Sequence, residues 1–203
     1  MEEMDKQKNQ KKTEEKLTWQ QSLVLYMQDL SHMLIAIMVV FLLLFRVIVV
    51  SGDSMNATLI DGDYLLCLSN VFYKNPKQGD IIVASKQSFD DGAAIIKRVI
   101  ATEGQIVDID FEHGYVYVDG LPLEEDYIYN LTTRSEGVLF PMIVEEGCIF
   151  VLGDNRGVSK DSRHPDIGLI DTRQVLGKAI FLMLPGVDEV TETRDFDRTG
   201  AIS

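Results

Sequence analysis

The chain is poor in several of the residues that usually announce a function. Two cysteines in 203 residues, Cys67 and Cys148, are too few for a disulfide framework and too far apart for a C-x-x-C metal or redox motif. Basic residues are outnumbered: 19 Lys and Arg stand against 32 Asp and Glu, a net charge of -13. That balance excludes general nucleic-acid binding, which needs a basic footprint. There is no Walker A loop and no G-x-G-x-x-G turn, so nothing is built to cradle phosphates. The three histidines, His32, His113 and His164, lack metal-ligand spacing and read as surface residues. No internal repeat is present, and beyond residue 50 no segment carries a convincing helical period.

The apolar residues are concentrated and patterned. Residues 1 to 18 are polar, without apolar periodicity, and read as a disordered tail. From Met33 to Val50 runs MLIAIMVVFLLLFRVIVV, with Arg46 its one charge. With Leu30 to His32 this makes about 21 residues and roughly 30 Å of helix, enough to cross a bilayer core. A cleavable signal would have a shorter apolar stretch and an A-x-A-like exit, which VVSGDS does not supply. Residues 30–50 are therefore expected to be an uncleaved anchor, with Arg46 snorkelling to the headgroups at one end. Lys11, Lys12 and Lys16 precede the span, whereas the next basic residue after Arg46 is Lys74. The positive-inside rule then puts residues 1–29 in the cytoplasm and residues 51–203 outside. Leu23 to Met27, beside Trp19, is expected to form a short interfacial helix.

After the anchor the pattern changes to short apolar runs: Tyr64 to Leu68, Ile81 to Ala84, Ala94 to Ala101, Ile106 to Ile109, Tyr115 to Val118, Cys148 to Leu152 and Val175 to Leu184. Gly and Asp turns separate them, so the expected fold is mainly β, a barrel or sandwich behind one transmembrane helix. Pro185 to Ser203 is polar and is expected to fray. The acidic pairs Asp108/Asp110 and Glu124/Glu125 read as solvated strand edges or turns. Cys67 and Cys148 each fall in a strand-like run, which suits buried free thiols and leaves a cross-strand disulfide open.

Three segments carry candidate chemistry: Ser51-Gly52-Asp53-Ser54-Met55-Asn56-Ala57-Thr58-Leu59, then Ile95-Ile96-Lys97-Arg98-Val99-Ile100, then Gly153-Asp154-Asn155-Arg156-Gly157-Val158-Ser159-Lys160-Asp161-Ser162-Arg163. A serine hydroxyl needs a nearby base to become a nucleophile. A lysine can be that base only when neutral, so burial must lower its pKa from about 10.4; reaching ~8 shifts the protonation equilibrium by roughly 3 kcal/mol. The β-branched neighbours of Lys97 are suited to desolvating it. Strand alternation sets Lys97 on a face with Ile95 and Val99, opposite Arg98.

In this order behind an N-terminal anchor, the three segments resemble the boxes of the type I signal peptidase (leader peptidase) family of bacterial Ser-Lys type, over roughly residues 30 to 184. The resemblance implies an extracytoplasmic peptidase domain over residues 51–184, between the anchor and a polar tail at 185–203. It implies Ser54 as nucleophile and Lys97 as general base, with Ser159 orienting the amine. Arg98 with Asp154, and Asp161 with Arg163, would brace the site. The Ser54 N–H would donate to the oxyanion; where some relatives offer a second donor from a hydroxyl, this chain has Gly52. Val50, Met55, Leu59 and Ile96 would line shallow pockets for small side chains, suiting cleavage after Ala-x-Ala in exported preproteins. The implied partners are signal peptides, the bilayer and the nearby export translocon, with no cofactor, no metal and no nucleic acid. Two departures stand out: Ala57 replaces the usual proline of the first box, and Ala101-Thr102-Glu103-Gly104-Gln105 replaces the usual G-L-P-G-D. Gly52-Asp53-Ser54 is also similar to the nucleophile loop of trypsin-like proteases, but Met55 stands where those have glycine and no upstream histidine box exists. The soluble Ser-Lys self-cleaving repressors lack an anchor, and the endoplasmic-reticulum signal peptidase has histidine where this chain has Lys97.

Overall fold

The computed structural model describes residues 18–87, 89, 92–188 and 191–202; of the expected polar tail only Thr18 falls among them. The chain divides between Leu42 and Leu43 into two compact units. The first is dominated by helix α1, Trp19–Leu44. Thr18 starts it with a capping box: its Oγ accepts from the Gln21 N–H at 3.4 Å, and its own N–H donates to Gln21 Oε1 at 2.9 Å. The helix of 26 residues spans about 39 Å, none of its residues is buried, and it is long and apolar enough to cross a membrane. Leu23 to Met27 is continuous with it rather than a separate element.

The helix stops six residues before the expected end of the anchor. Phe45–Val49 is a strand, β1, paired antiparallel with β2 (Tyr64–Ser69) from Phe45↔Leu68 to Val49↔Tyr64. Val47, Ile48 and Val49 are β-branched and favour strand, and β2 offers them an open edge, which outweighs continuing the helix. Arg46 consequently lies in this sheet, opposite Cys67, and not at a helix end.

The second unit is built on β3 (Ile81–Ser85), β4 (Ala94–Thr102), β5 (Ile106–Asp110), β6 (Tyr115–Val118), β7 (Leu121–Pro122), β8 (Met142–Ile143), β9 (Cys148–Leu152), β10 (Ile170–Asp171), β11 (Val175–Leu184) and β12 (Gly200–Ala201). One sheet runs β1-β2-β11-β3-β4-β9-β10 with β12 on β11, and a smaller one runs β7-β6-β5-β8. The seven apolar runs read from the sequence are all strands. The short β7, β8, β10 and β12 were not expected, because two residues carry no readable period. Three apolar clusters form the core, centred on Leu65 and Val83, on Val99 and Val151, and on Val107 and Phe150.

The C-terminal tail is docked, contrary to expectation. β12 pairs with Phe181 and Leu182 of β11, and Gly186 and Arg198 bind the buried Asp63 carboxylate. Both thiols are free: β11, β3 and β4 separate β2 from β9, so the cysteines are about 19 Å apart, far beyond disulfide reach. Burial pushes the Cys67 thiol up to about 11.

Candidate active site

The loop between β1 and β2 carries Ser54. Its base is closed by Val50 N–H to Asp63 C=O at 2.8 Å and Gly62 N–H to Val50 C=O at 3.0 Å. Met55 and Leu59 lie one turn apart, with the Leu59 N–H on the Met55 carbonyl at 2.9 Å, and both are buried in the core. They pin the loop from inside and leave Ser54 half-buried at its surface. Gly52 has a φ of 84°, a left-handed backbone that glycine adopts without penalty.

Lys97 sits in the centre of β4, where Ile82↔Lys97 pairs it with β3. Its side chain is only 4% exposed. The amine lies 2.8 Å from Ser54 Oγ and 2.9 Å from the Ile96 carbonyl. Burial lowers its pKa to about 8; the carboxylates of Asp161 and Asp154 pull it back up and Arg163 pushes it down. Desolvation by burial is the largest of these causes.

Arg98, next in the strand, is also buried. Its Nε and Nη2 donate to the two Asp154 oxygens at 2.9 and 2.8 Å, and its guanidinium lies 3.9 Å from the Tyr127 ring centroid. Arg163 grips Asp161 with the same two-pronged geometry at 2.8 and 2.9 Å. Asp161 Oδ2 also accepts the Gly153 N–H at 3.1 Å. These four buried side chains hold the 153–163 loop against β4, with each charge matched.

That loop meets the Ser54 loop directly. Asn155 donates its N–H to the Ser54 carbonyl at 3.0 Å and its amide to the Asp53 carbonyl at 3.1 Å. Ser159 is buried nearby, yet its Oγ has no hydrogen-bond partner among the described residues. The expected bond from the Lys97 amine to Ser159 is thus not made; Ser54 and the Ile96 carbonyl take the amine instead. The Gly52 N–H is committed to Asp61 Oδ1 at 2.7 Å.

A cleft of about 410 Å³ opens on Ser54 and Lys97, lined also by Ile48, Val49, Val50, Ser51, Met55, Val83, Phe89, Ala93 to Ile96 and Lys160. Val50, Met55 and Ile96 line it. Leu59 does not: its turn from Met55 carries it wholly into the core beneath the loop. The sequence reading missed Ile48 and Val49, which a helix over that stretch would have hidden. It also missed the outer support of the third box. Arg156, fully buried, donates to Thr132 Oγ1 at 2.6 Å and pairs with Glu125, whose side chain is largely covered, so Glu125 is an ion-pair partner and not a solvated turn residue. Thr58 Oγ1, in the first box, donates to Asp154 at 2.5 Å.

The described residues hold no cluster of His, Cys, Asp and Glu with metal-binding geometry. The sequence model of the signal peptidase family, peptidase S26, matches residues 23–184. The chain belongs to that family. Among its relatives, a probable signal peptidase I-1 of Synechocystis is 36% identical over 173 residues, covering 78% of this chain and 82% of that protein. Signal peptidase IB of Staphylococcus aureus is 32% identical over 182 residues, covering 78% and 91%. The solved signal peptidase I of Enterococcus faecalis is 31% identical, with a TM-score of 0.43 over 52% of this chain and 97% of that one. This member of the peptidase S26 family is accordingly a serine endopeptidase of the signal peptidase I kind.

Proposed function

We propose that this S26 peptidase removes signal peptides from exported preproteins with Ser54 as nucleophile and Lys97 as general base, cleaving after small residues in the Ala-x-Ala manner. The observation that carries the reading is the 2.8 Å contact between Ser54 Oγ and a buried amine whose pKa falls to about 8. A neutral amine accepts the hydroxyl proton as Ser54 Oγ attacks the scissile carbonyl. The Ser54 N–H then meets the developing oxyanion, and the lysine returns the proton to the leaving amine.

The cleft suits an extended, small-residue substrate. From Ala94 to Lys97, β4 pairs with β3 on one side, and β9 joins its other side only from Arg98 onward. An incoming strand can add to that open edge, with its alternate side chains against Val50, Met55 and Ile96. The helix at 19–44 serves as a single-pass anchor with its N-terminus in the cytoplasm, since Lys11, Lys12 and Lys16 precede it. Cross-strand neighbours Val47, Leu66 and Phe181, with Val49 and Tyr64, form an apolar outer face on β1, β2 and β11. That face rests on the outer leaflet, near the export translocon, where signal peptides are held.

The test is cleavage of a preprotein in proteoliposomes by wild type, Ser54→Ala and Lys97→Ala. Both variants are expected to insert and fold yet lose at least about 10³-fold in rate. Ser54→Ala cleaving at the wild-type rate overturns the reading.

A further inference from the structure

The family match ends at residue 184, but the chain beyond it returns to the nucleophile loop. Asp63 closes that loop, and its carboxylate is completely buried. One oxygen accepts the Ile60 N–H, within the loop, at 2.9 Å; the other accepts the Gly186 N–H at 2.7 Å. The cation facing this carboxylate is Arg198, 135 residues away, whose Nη1 and Nη2 reach the two oxygens at 3.0 and 2.7 Å. Arg198 Nη2 also donates to the Thr58 carbonyl at 3.3 Å. Thr58 in turn donates through its hydroxyl to Asp154, the partner of Arg98.

The tail is fitted as well as bonded. A Cβ at Gly186 would fall 2.1 Å from the Asp61 carbonyl oxygen, so only glycine permits this approach. Asp61 holds the N–H of Gly52, two residues before the nucleophile. Arg198 itself is fixed from both sides. It ends a 3₁₀ turn over Phe196–Arg198 that Asp195 caps, and β12, paired to β11, follows.

We propose that Arg198 is a positioning residue for catalysis: with Gly186 it clamps the 50–63 loop so that Ser54 Oγ stays within reach of Lys97. A two-pronged ion pair on a buried carboxylate fixes orientation as well as distance. It acts at both the base of the loop (Asp63) and its middle (Thr58). This inference rests on Ser54 being the nucleophile.

The experiment compares wild type, Arg198→Ala, Arg198→Lys and Ser54→Ala as full-length protein in detergent. A peptide ending its leader in Ala-x-Ala is the substrate, and rates are expressed per folded molecule from circular dichroism at the assay temperature. Misplacing a nucleophile by about 1 Å costs on the order of 100-fold. Arg198→Ala is therefore expected to lose about 100-fold in kcat with KM within threefold, and Arg198→Lys to recover part of it. A merely structural role would lower the folded fraction and leave kcat per folded molecule unchanged. Arg198→Ala within threefold of wild-type kcat, or a loss lying wholly in KM, overturns the proposal. An active Ser54→Ala instead overturns the assignment of the nucleophile, which separates the two failures.

Discussion

A Cβ placed on Gly153 would lie 2.2 Å from Ser159 Oγ and 2.4 Å from the Ser54 carbonyl oxygen. The first and third boxes therefore meet through a contact that only glycine allows, and the first residue of the third box is there for closeness. Gly153→Ala must push the Ser54 loop away from the 153–163 loop. It is expected to lose about 100-fold in kcat, since angstrom-scale displacement at the reacting atoms is enough. Preprotein cleavage by a variant whose circular dichroism matches wild type checks this, and an unchanged rate would show that the two loops can part without harm.

Activity should follow the deprotonation of Lys97. With its pKa lowered to about 8 by burial, the amine is protonated and idle at pH 6, and kcat/KM is expected to rise about tenfold per pH unit below 8 and level off above it. A pH profile flat from 6 to 10, with chemistry rate-limiting, would exclude this amine as the base.

The same shift has a sign for stability. The folded pKa lies below the unfolded value, so the unfolded chain binds the extra proton between pH 8 and about 10.4. This group's contribution to stability therefore rises with pH across that window and is least favourable below it, where the native state carries a buried ammonium at a cost of about 3 kcal/mol. Lys97→Met removes that cost while abolishing cleavage. It should melt higher than wild type at pH 6, with the gap closing towards pH 10. A Lys97→Met protein that melts lower at pH 6 would contradict the account.

Arg98 and Asp154 are both buried and satisfied chiefly by one another. Arg98→Ala strands the carboxylate, and about 3–5 kcal/mol of stability is expected to go with it. Arg98→Lys keeps the charge but loses the fork and the Tyr127 stack, so its loss should be smaller yet clear. Chemical denaturation of the three proteins measures both.

The membrane-facing reading of the outer sheet is open to a direct measurement. Phe181→Asp and Val47→Asp place charges on the exposed face of β11 and β1 without touching the core. Cleavage of a soluble peptide should be unchanged, whereas cleavage of a liposome-inserted preprotein should fall about tenfold. Equal loss on both substrates would mean that the face serves the fold and not the lipid.

Much of this was legible in local pattern. The apolar run, the strand-length segments between Gly and Asp turns, and the order of Ser54, Lys97 and the Gly153–Arg163 loop all follow from nearest neighbours along the chain, and hydrophobic periodicity is a local property. Even the fate of Lys97 was implied, since its β-branched neighbours travel with it. The end of the helix was not, because Phe45–Val49 is apolar enough for either state and an unpaired edge of β2 decided between them. Leu59 went to the core and not the cleft because one turn from Met55 points it inward. Glu125, Thr132 and Arg198 gave no sign of their roles in the sequence, since a buried charge takes whichever partner the fold delivers, at any distance along the chain. Composition and order thus determined the long apolar helix, the strands and the order of Ser54, Lys97 and the Gly153–Arg163 loop along the chain. Tertiary packing alone decided which surfaces meet, which ions pair and how a tail beyond the family's matched residues comes to rest against the serine's loop, because those are contacts between distant segments that exist only once the chain is closed on itself.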